Sequence, residues 1–149
     1  MDDVNLPIRV AVKKLHPAAQ MPRYAHAGPF GDLAADLYAV EPQVLAPGET
    51  AAVATGISLG LPAGYGALVE DRSGLAVAGI TTLAGVIDPG YRGEIKVVLA
   101  NLSQVPFHVE PGMRIAQLRL VRRIEPEFAW AEDLDETMRN AGGFGSTGR

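Results

Sequence analysis

Gly85-Val86-Ile87-Asp88-Pro89-Gly90-Tyr91-Arg92-Gly93-Glu94 is the stretch on which the fold turns. Apolar Val86 and Ile87 lead into Asp-Pro-Gly, and Ile95, Val97 and Leu99 follow at every second position. Proline presets φ for a turn, glycine tolerates conformations that other residues avoid, and aspartate can bond nearby amides. Alternation with a period of two marks a strand with one buried face. The segment therefore reads as a tight hairpin between apolar strands, with Asp88 at its tip. An aspartate in that setting is ordinarily a turn-former.

The same grammar repeats outward. Ile8, Val10 and Val12 alternate with Arg9 and Ala11. Pro47-Gly48-Glu49, Leu61-Pro62-Ala63-Gly64 and Glu110-Pro111-Gly112 punctuate further short runs, and residues 115–121 read as another strand. Only residues 73–79, with Ser73 as N-cap, and residues 132–138 invite a helix. Many short strands at a spacing of about 8–12 residues indicate an all-β sandwich, jelly roll or barrel. No internal repeat interrupts the pattern.

Composition narrows the function classes. A chain of 149 residues suits one domain, and 48% hydrophobic with 20% charged residues is an ordinary globular balance. Seventeen glycines and eleven prolines favour a turn-rich β protein. The absence of cysteine excludes disulfides and thiolate metal sites. A net charge of −4, with no run of Lys or Arg longer than a pair, argues against a polynucleotide partner. Phosphate chemistry on such a chain would involve a small ligand and a divalent cation to offset repulsion. No stretch approaches the roughly 18 apolar residues of a membrane span, and MDDVNLPIRV lacks a basic region followed by an apolar run. A soluble cytoplasmic protein is the simplest expectation.

Three further segments carry chemistry. In Arg72-Ser73-Gly74-Leu75-Ala76 a cation neighbours a potential helix cap. In Gly112-Met113-Arg114-Ile115-Ala116-Gln117-Leu118 the polar Gln117 interrupts an apolar strand. The tail from Gly142 to Gly148 has one large apolar residue, Phe144, and little means of folding alone. It reads as a frayed terminus or as an arm that orders on a ligand, its glycine amides free to face phosphate oxygens. A P-loop needs Lys then Ser/Thr opening a helix, and the tail offers no such lysine.

Together and in order, these segments resemble the trimeric dUTP pyrophosphatase family. Asp36-Leu37-Tyr38-Ala39 resembles its first motif, Arg72 to Ala76 the second and Gly85 to Glu94 the third. Gly112 to Leu118 resembles the fourth, and Arg139 with Gly142 to Gly148 the fifth. The resemblance implies a distorted jelly-roll (β-clip) domain over residues 1–139 with one short helix, and a mobile lid over residues 140–149. It implies that Asp88 orients the water attacking the α-phosphate of dUTP, releasing pyrophosphate and leaving dUMP. Arg72, Ser73, Gly74, Gln117 and Arg139 would contact phosphates, and the Gly145 and Ser146 amides would close on the terminal one. Mg²⁺ would be held mainly by the phosphates, with Asp36 acting indirectly through water.

For the base, the resemblance implies backbone recognition at Gly85, Val86 and Lys96, with Thr82 nearby and Ile87 also among the substrate-binding residues. Phe144 would stack on uracil and Tyr91 would pack beneath the deoxyribose. It also implies a homotrimer with sites assembled at subunit boundaries. Several positions depart from the family pattern: Asp71 stands where proline is common, Thr82 where asparagine is, and residues 24–35 form a longer segment. A related family, the dCTP deaminases, shares the Asp-Pro-Gly turn and Pro111-Gly112-Met113. Those enzymes carry a catalytic glutamate ten positions after the aspartate, where this chain has Val98, and a serine where it has Gly74. A nucleotide-binding regulator without catalysis is a further alternative; loss of Asp88 or of the arm would mark it, and both are present. An unrelated β-sandwich lectin or capsid-type domain is another, and it requires all five matches to be accidental.

Overall fold

Residues 7–148 are described by a computed structural model. In chain order its elements are β1 (Ala11–Lys14), β2 (Ala35–Tyr38), β3 (Gln43–Leu45), β4 (Thr50–Gly60), β5 (Tyr65–Glu70), α1 (Ser73–Val77), β6 (Ile80–Leu83), β7 (Val86–Ile87), β8 (Glu94–Asn101), β9 (Phe107–Val109) and β10 (Arg114–Arg122). Three antiparallel sheets result, in the orders β1-β4-β8-β6, β2-β10-β5-β7 and β3-β9. This is the expected all-β architecture with one short helix. Residues 1–6, at the start of the expected β domain, and Arg149, at the end of the expected arm, lie outside the described residues.

Alternate residues turn inward in much of β2 and β8, as a pleated strand requires, while residues 55–59 of β4 are buried in a row. The core draws Leu37, Val69, Ile115 and Leu118 from one large sheet and Val53, Leu59, Ile95, Val97 and Leu99 from the other. Leu45 and Val109 of the small sheet join the same cluster. Asn101 is fully buried yet satisfied: its amide donates to the Leu45 and Val105 carbonyls at 3.0 and 2.8 Å, and its carbonyl accepts from Ser103.

Four local expectations are corrected. The first strand occupies Ala11–Lys14, pairing with residues 57–60, rather than the alternating run from Ile8 to Val12. The helix ends at Val77, and its N-cap is Arg72, with no side-chain capping bond, so Ser73 is its first residue and not its cap. Residues 132–138 form no helix. Glu132, Asp133, Asp135 and Glu136 would place like charges at i,i+3 and i,i+4 spacing, and exposed Leu134 and Met138 have nothing to pack against.

The fourth correction concerns the segment around Asp88. Val86–Ile87 pairs with β5, whereas β8 pairs with β4 and β6. The Asp-Pro-Gly turn, closed by the Tyr91 N–H donating to the Asp88 carbonyl at 3.1 Å, thus joins the two large sheets instead of closing a hairpin. The strand that pairs with β8 on this side is β6, so residues 84–93 form the wide mouth of a β6–β8 hairpin. Residues 71–79 carry the chain between the same two sheets, from β5 to β6.

Candidate active site

Two clusters of the expected residues line separate cavities. The first rests on register. Asp36 of β2 lies opposite Gln117 of β10, and Gln117 lies opposite Glu70 of β5. Directly opposed residues present their side chains on one face of a sheet, so Asp36 and Gln117 become neighbours although 81 positions separate their numbers (117 − 36). The chain leaving Glu70 then lays Asp71, Arg72, Ser73 and Gly74 over that row. The resulting cavity, about 500 Å³, is lined by Asp36, Asp71, Arg72, Ser73, Gly74, Arg114 and Gln117.

Its charges are paired. Arg72 Nε lies 3.4 Å from Asp36 Oδ1, and Arg114 Nη1 lies 3.7 Å from Oδ2. Arg72 Nη1 also donates to the Arg114 carbonyl at 3.4 Å, and Gln117 Nε2 donates to the Asp71 carbonyl at 2.7 Å. Two guanidiniums thus share a single carboxylate, leaving donors free for phosphate oxygens. Ala25, His26, Asp32, Leu33 and Ala34 also line this cavity. There the His26 N–H donates to Asp32 Oδ2 at 2.8 Å and the ring Nδ1 lies 3.2 Å from Oδ1. The His26 backbone bond, then its ring, hold the Asp32 carboxyl below the ordinary range. His26 and Asp32 were not legible as site residues, the added length of residues 24–35 being their only signal; Arg114 lay within the fourth motif segment but was not singled out.

The second cavity, about 230 Å³, is lined by Ala84, Gly85, Val86, Ile87, Asp88, Tyr91, Glu94, Lys96 and Val98. Its floor is backbone. Gly85 has φ +100°, its carbonyl accepts from the Val69 N–H at 2.8 Å, and a Cβ there would sit 2.6 Å from the Val69 oxygen. Ala84 beside it is held at φ 58°, a conformation non-glycine residues adopt uncommonly. Gly85→Ala should therefore cost more than about 1 kcal/mol of stability, readable as a lowered Tm, because both strain and backbone overlap oppose it.

The Tyr91 hydroxyl donates to the Glu94 carbonyl at 2.8 Å, fixing its ring at the cavity wall. The Glu94 carboxylate is taken by the Gly56 N–H at 3.1 Å, which leaves Asp88 as the exposed carboxylate of this cavity. Arg123, where the chain leaves the last strand, is held above its ordinary range mainly by Glu125 at 3.0 Å, and Asp88 contributes from further away. Thr82 lines neither cavity; its N–H and hydroxyl both donate to Asp71 Oδ1 at 2.6 Å.

Arg139, Phe144, Gly145 and Ser146 also line neither cavity. Beyond the Arg123 N–H bond to the Gly64 carbonyl, the hydrogen bonds of the tail are local ones, such as Arg139 Nε to the Gly142 carbonyl at 2.6 Å. Phe128, Trp130, Met138 and Phe144 are essentially fully exposed.

The dUTPase family model matches residues 21–148, spanning both cavities and the arm. The chain belongs to the dUTPase family. A deoxyuridine 5'-triphosphate nucleotidohydrolase of Thermobifida fusca is 48% identical over 145 residues, covering 95% of this chain and 79% of the relative. Its counterpart in Solibacter usitatus is 44% identical over 146 residues, covering 95% and 97%. The solved dUTPase of Staphylococcus bacteriophage 80alpha with dUPNHPP has 27% identity and a TM-score of 0.83, covering 95% of this chain and 99% of that one. Among the described residues of this dUTPase-family chain, no helix is long and apolar enough to cross a membrane.

Proposed function

We propose that the protein hydrolyses dUTP to dUMP and pyrophosphate, with Asp88 orienting and deprotonating the water that attacks the α-phosphate. The observation that carries the assignment of Asp88 is its freedom. Its turn is closed by backbone, so the carboxylate stands exposed on the second cavity instead of serving as a turn-former. A carboxylate within hydrogen-bond reach of water can accept its proton as the oxygen approaches phosphorus. In-line attack leaves the protein mainly positioning and charge neutralisation to perform. Arg72, Ser73, Gly74 and Gln117, gathered on the first cavity, suit the phosphates. Arg139 and the Gly145 and Ser146 amides would join them when the arm closes.

Base selection falls to the second cavity, through backbone groups at Gly85, Val86 and Ile87 with Lys96 alongside. Fixed backbone donors and acceptors reject a base whose pairing edge is reversed, because buried polar groups would be left unpaired. Tyr91, immobilised by its hydroxyl bond, forms the wall for the deoxyribose, and Phe144 would cover the uracil. Magnesium fits this arrangement as a phosphate-bound ion. Among the described residues no group of three or more His, Cys, Asp or Glu could cage a metal. Asp36, already between two arginines, suits an outer contact through water better than direct ligation. Bound Mg²⁺ would neutralise phosphate charge.

One active site needs both the phosphate groups and Asp88, yet a single chain holds them in cavities that share no lining residue. A homotrimer in which neighbouring copies bring unlike cavities together, and in which the tail with its exposed Phe128, Trp130, Met138 and Phe144 crosses to another copy, reconciles these facts. Light scattering tests the stoichiometry. A cytoplasmic location, where nucleoside triphosphates circulate, belongs to the same proposal.

Deaminase chemistry is disfavoured at one position: Val98 lines the second cavity, and an isopropyl group cannot shuttle protons. The deciding experiment incubates the protein and Mg²⁺ with dUTP, dCTP, dTTP and UTP separately and identifies products. Pyrophosphate and dUMP from dUTP alone are expected. Ammonia from dCTP, or no turnover of any substrate, would refute the proposal.

A further inference from the structure

Asp71 makes more side-chain hydrogen bonds than any proposed substrate ligand, and the proposed chemistry does not use it. Its Oδ2 accepts from the Thr81 hydroxyl at 2.6 Å, and its Oδ1 accepts from both the Thr82 N–H and the Thr82 hydroxyl at 2.6 Å. Its own carbonyl accepts from Gln117 Nε2 at 2.7 Å. One residue therefore fastens three elements: β6 through its carboxylate, β10 through its carbonyl, and the Arg72-Ser73-Gly74 segment through the peptide bond that follows. Burial works against the charged carboxyl, but the Thr81 and Thr82 bonds outweigh it and hold the group below its ordinary range, so it is an anion at neutral pH. Bonds to a charged acceptor are stronger than neutral ones.

The segment being fastened has few other holds: Arg72 reaches Asp36 and the Arg114 carbonyl at 3.4 Å each, and Leu75 packs against the core. Helix α1 is five residues long, lacks a side-chain cap and has no buried residue. Gly74 has nothing within 4 Å of where a side chain would begin. A short uncapped helix does not define its own first turn. Asp71 thus anchors the start of the segment, from which Ser73 and Gly74 face the first cavity, while Arg72 is also tied to Asp36. The Thr82 hydroxyl is consumed by the same anchor, although its position two residues before Ala84 would otherwise suggest a contact with the base.

We infer that Asp71 is a positioning residue for the phosphate-binding segment, and that Thr82 serves this anchor instead of reading the base. The inference rests on the assignment of phosphates to the first cavity. It also links two departures from the family pattern, since Asp71 and Thr82 bond to each other. An anchor of this kind affects phosphate affinity and leaves base choice alone, whereas a base-reading Thr82 would do the reverse.

The test compares Thr82→Val, Thr82→Ser, Asp71→Asn and the Asp71→Asn/Thr82→Val pair. Binding of inorganic pyrophosphate with Mg²⁺ is measured by calorimetry, and kcat/KM is measured for dUTP and dCTP. Thr82→Val and Asp71→Asn should each weaken pyrophosphate about tenfold, the scale of a lost bond to a charged group. The pair should be no worse than the poorer single variant, as members of one network behave. Thr82→Ser, which keeps the hydroxyl, should match the wild type. The ratio of kcat/KM for dUTP over dCTP should not change in any variant.

A Thr82→Val protein that binds pyrophosphate normally but loses discrimination against dCTP overturns the inference, as do additive losses in the pair. Should Asp71→Asn fail to fold, the contrast between Thr82→Val and Thr82→Ser still decides. A wild type that turns over dUTP but binds pyrophosphate no better than Thr82→Val removes the anchor alone. One that does neither removes the functional assignment beneath it.

Discussion

Asp88→Asn is expected to bind dUTP about as tightly as the wild type while its turnover falls at least about a hundredfold. Asparagine keeps the size of the side chain, and the Asp-Pro-Gly turn depends on the backbone bond from Tyr91 to residue 88 rather than on the carboxylate. The turn, the second cavity and the phosphate-binding segment therefore survive the substitution. What would disappear, on the proposed mechanism, is the group that takes up the proton from water. An interaction made only as the reaction proceeds affects kcat and kcat/KM together and leaves affinity in place. Calorimetric titration with dUTP and Mg²⁺, paired with steady-state rates, separates the two. Turnover equal to wild type would take Asp88 out of the mechanism, and lost binding would make it a structural residue.

Removal of residues 140–149 should reduce turnover more than tenfold while shifting Tm by no more than about 2 °C. The described part of this segment is held by its own turns: Ser146 N–H to the Gly143 carbonyl and Gly148 N–H to the Gly145 carbonyl, each at 3.0 Å. Phe144 is fully exposed, so its loss opens no cavity in the core. Closure over a bound nucleotide is a different matter, because Phe144 would then cover the base and the glycine amides would exclude bulk water. Thermal melts with and without dUTP, alongside rates, test both halves. Wild-type activity in the truncated protein would return the tail to a frayed terminus.

Much of the site was legible because its residues sit in local patterns. Asp88 follows an apolar pair and opens a Pro-Gly turn; Gln117 is the polar interruption of an apolar strand. Such signals depend on a few neighbouring residues, and the structure places both residues on cavity walls. His26 and Asp32 had no such local signature, and Arg114, inside the fourth motif segment, was not singled out there. Residues 25–34 reach the first cavity through a loop closed by His26 and Asp32 and by the Arg23–Asp36 bridge, and Arg114 does so because long-range pairing sets it opposite Tyr38.

The sequence by itself determined the strand-rich class, the principal turns and the ordered motif segments on which the family resemblance rests. Period-two alternation and Pro-Gly chemistry act over a few residues, so they can be read directly. Only the tertiary structure decided which strands pair. Val86–Ile87 joins β5 rather than β8, so the supposed hairpin at Asp88 becomes a crossing between sheets. Only the tertiary structure split the site residues into two cavities, and only it showed Asp71 bound to Thr81 and Thr82. The physical reason is common to all three. A strand's partner is selected by which apolar faces can be buried together across the core, and that depends on the whole chain at once.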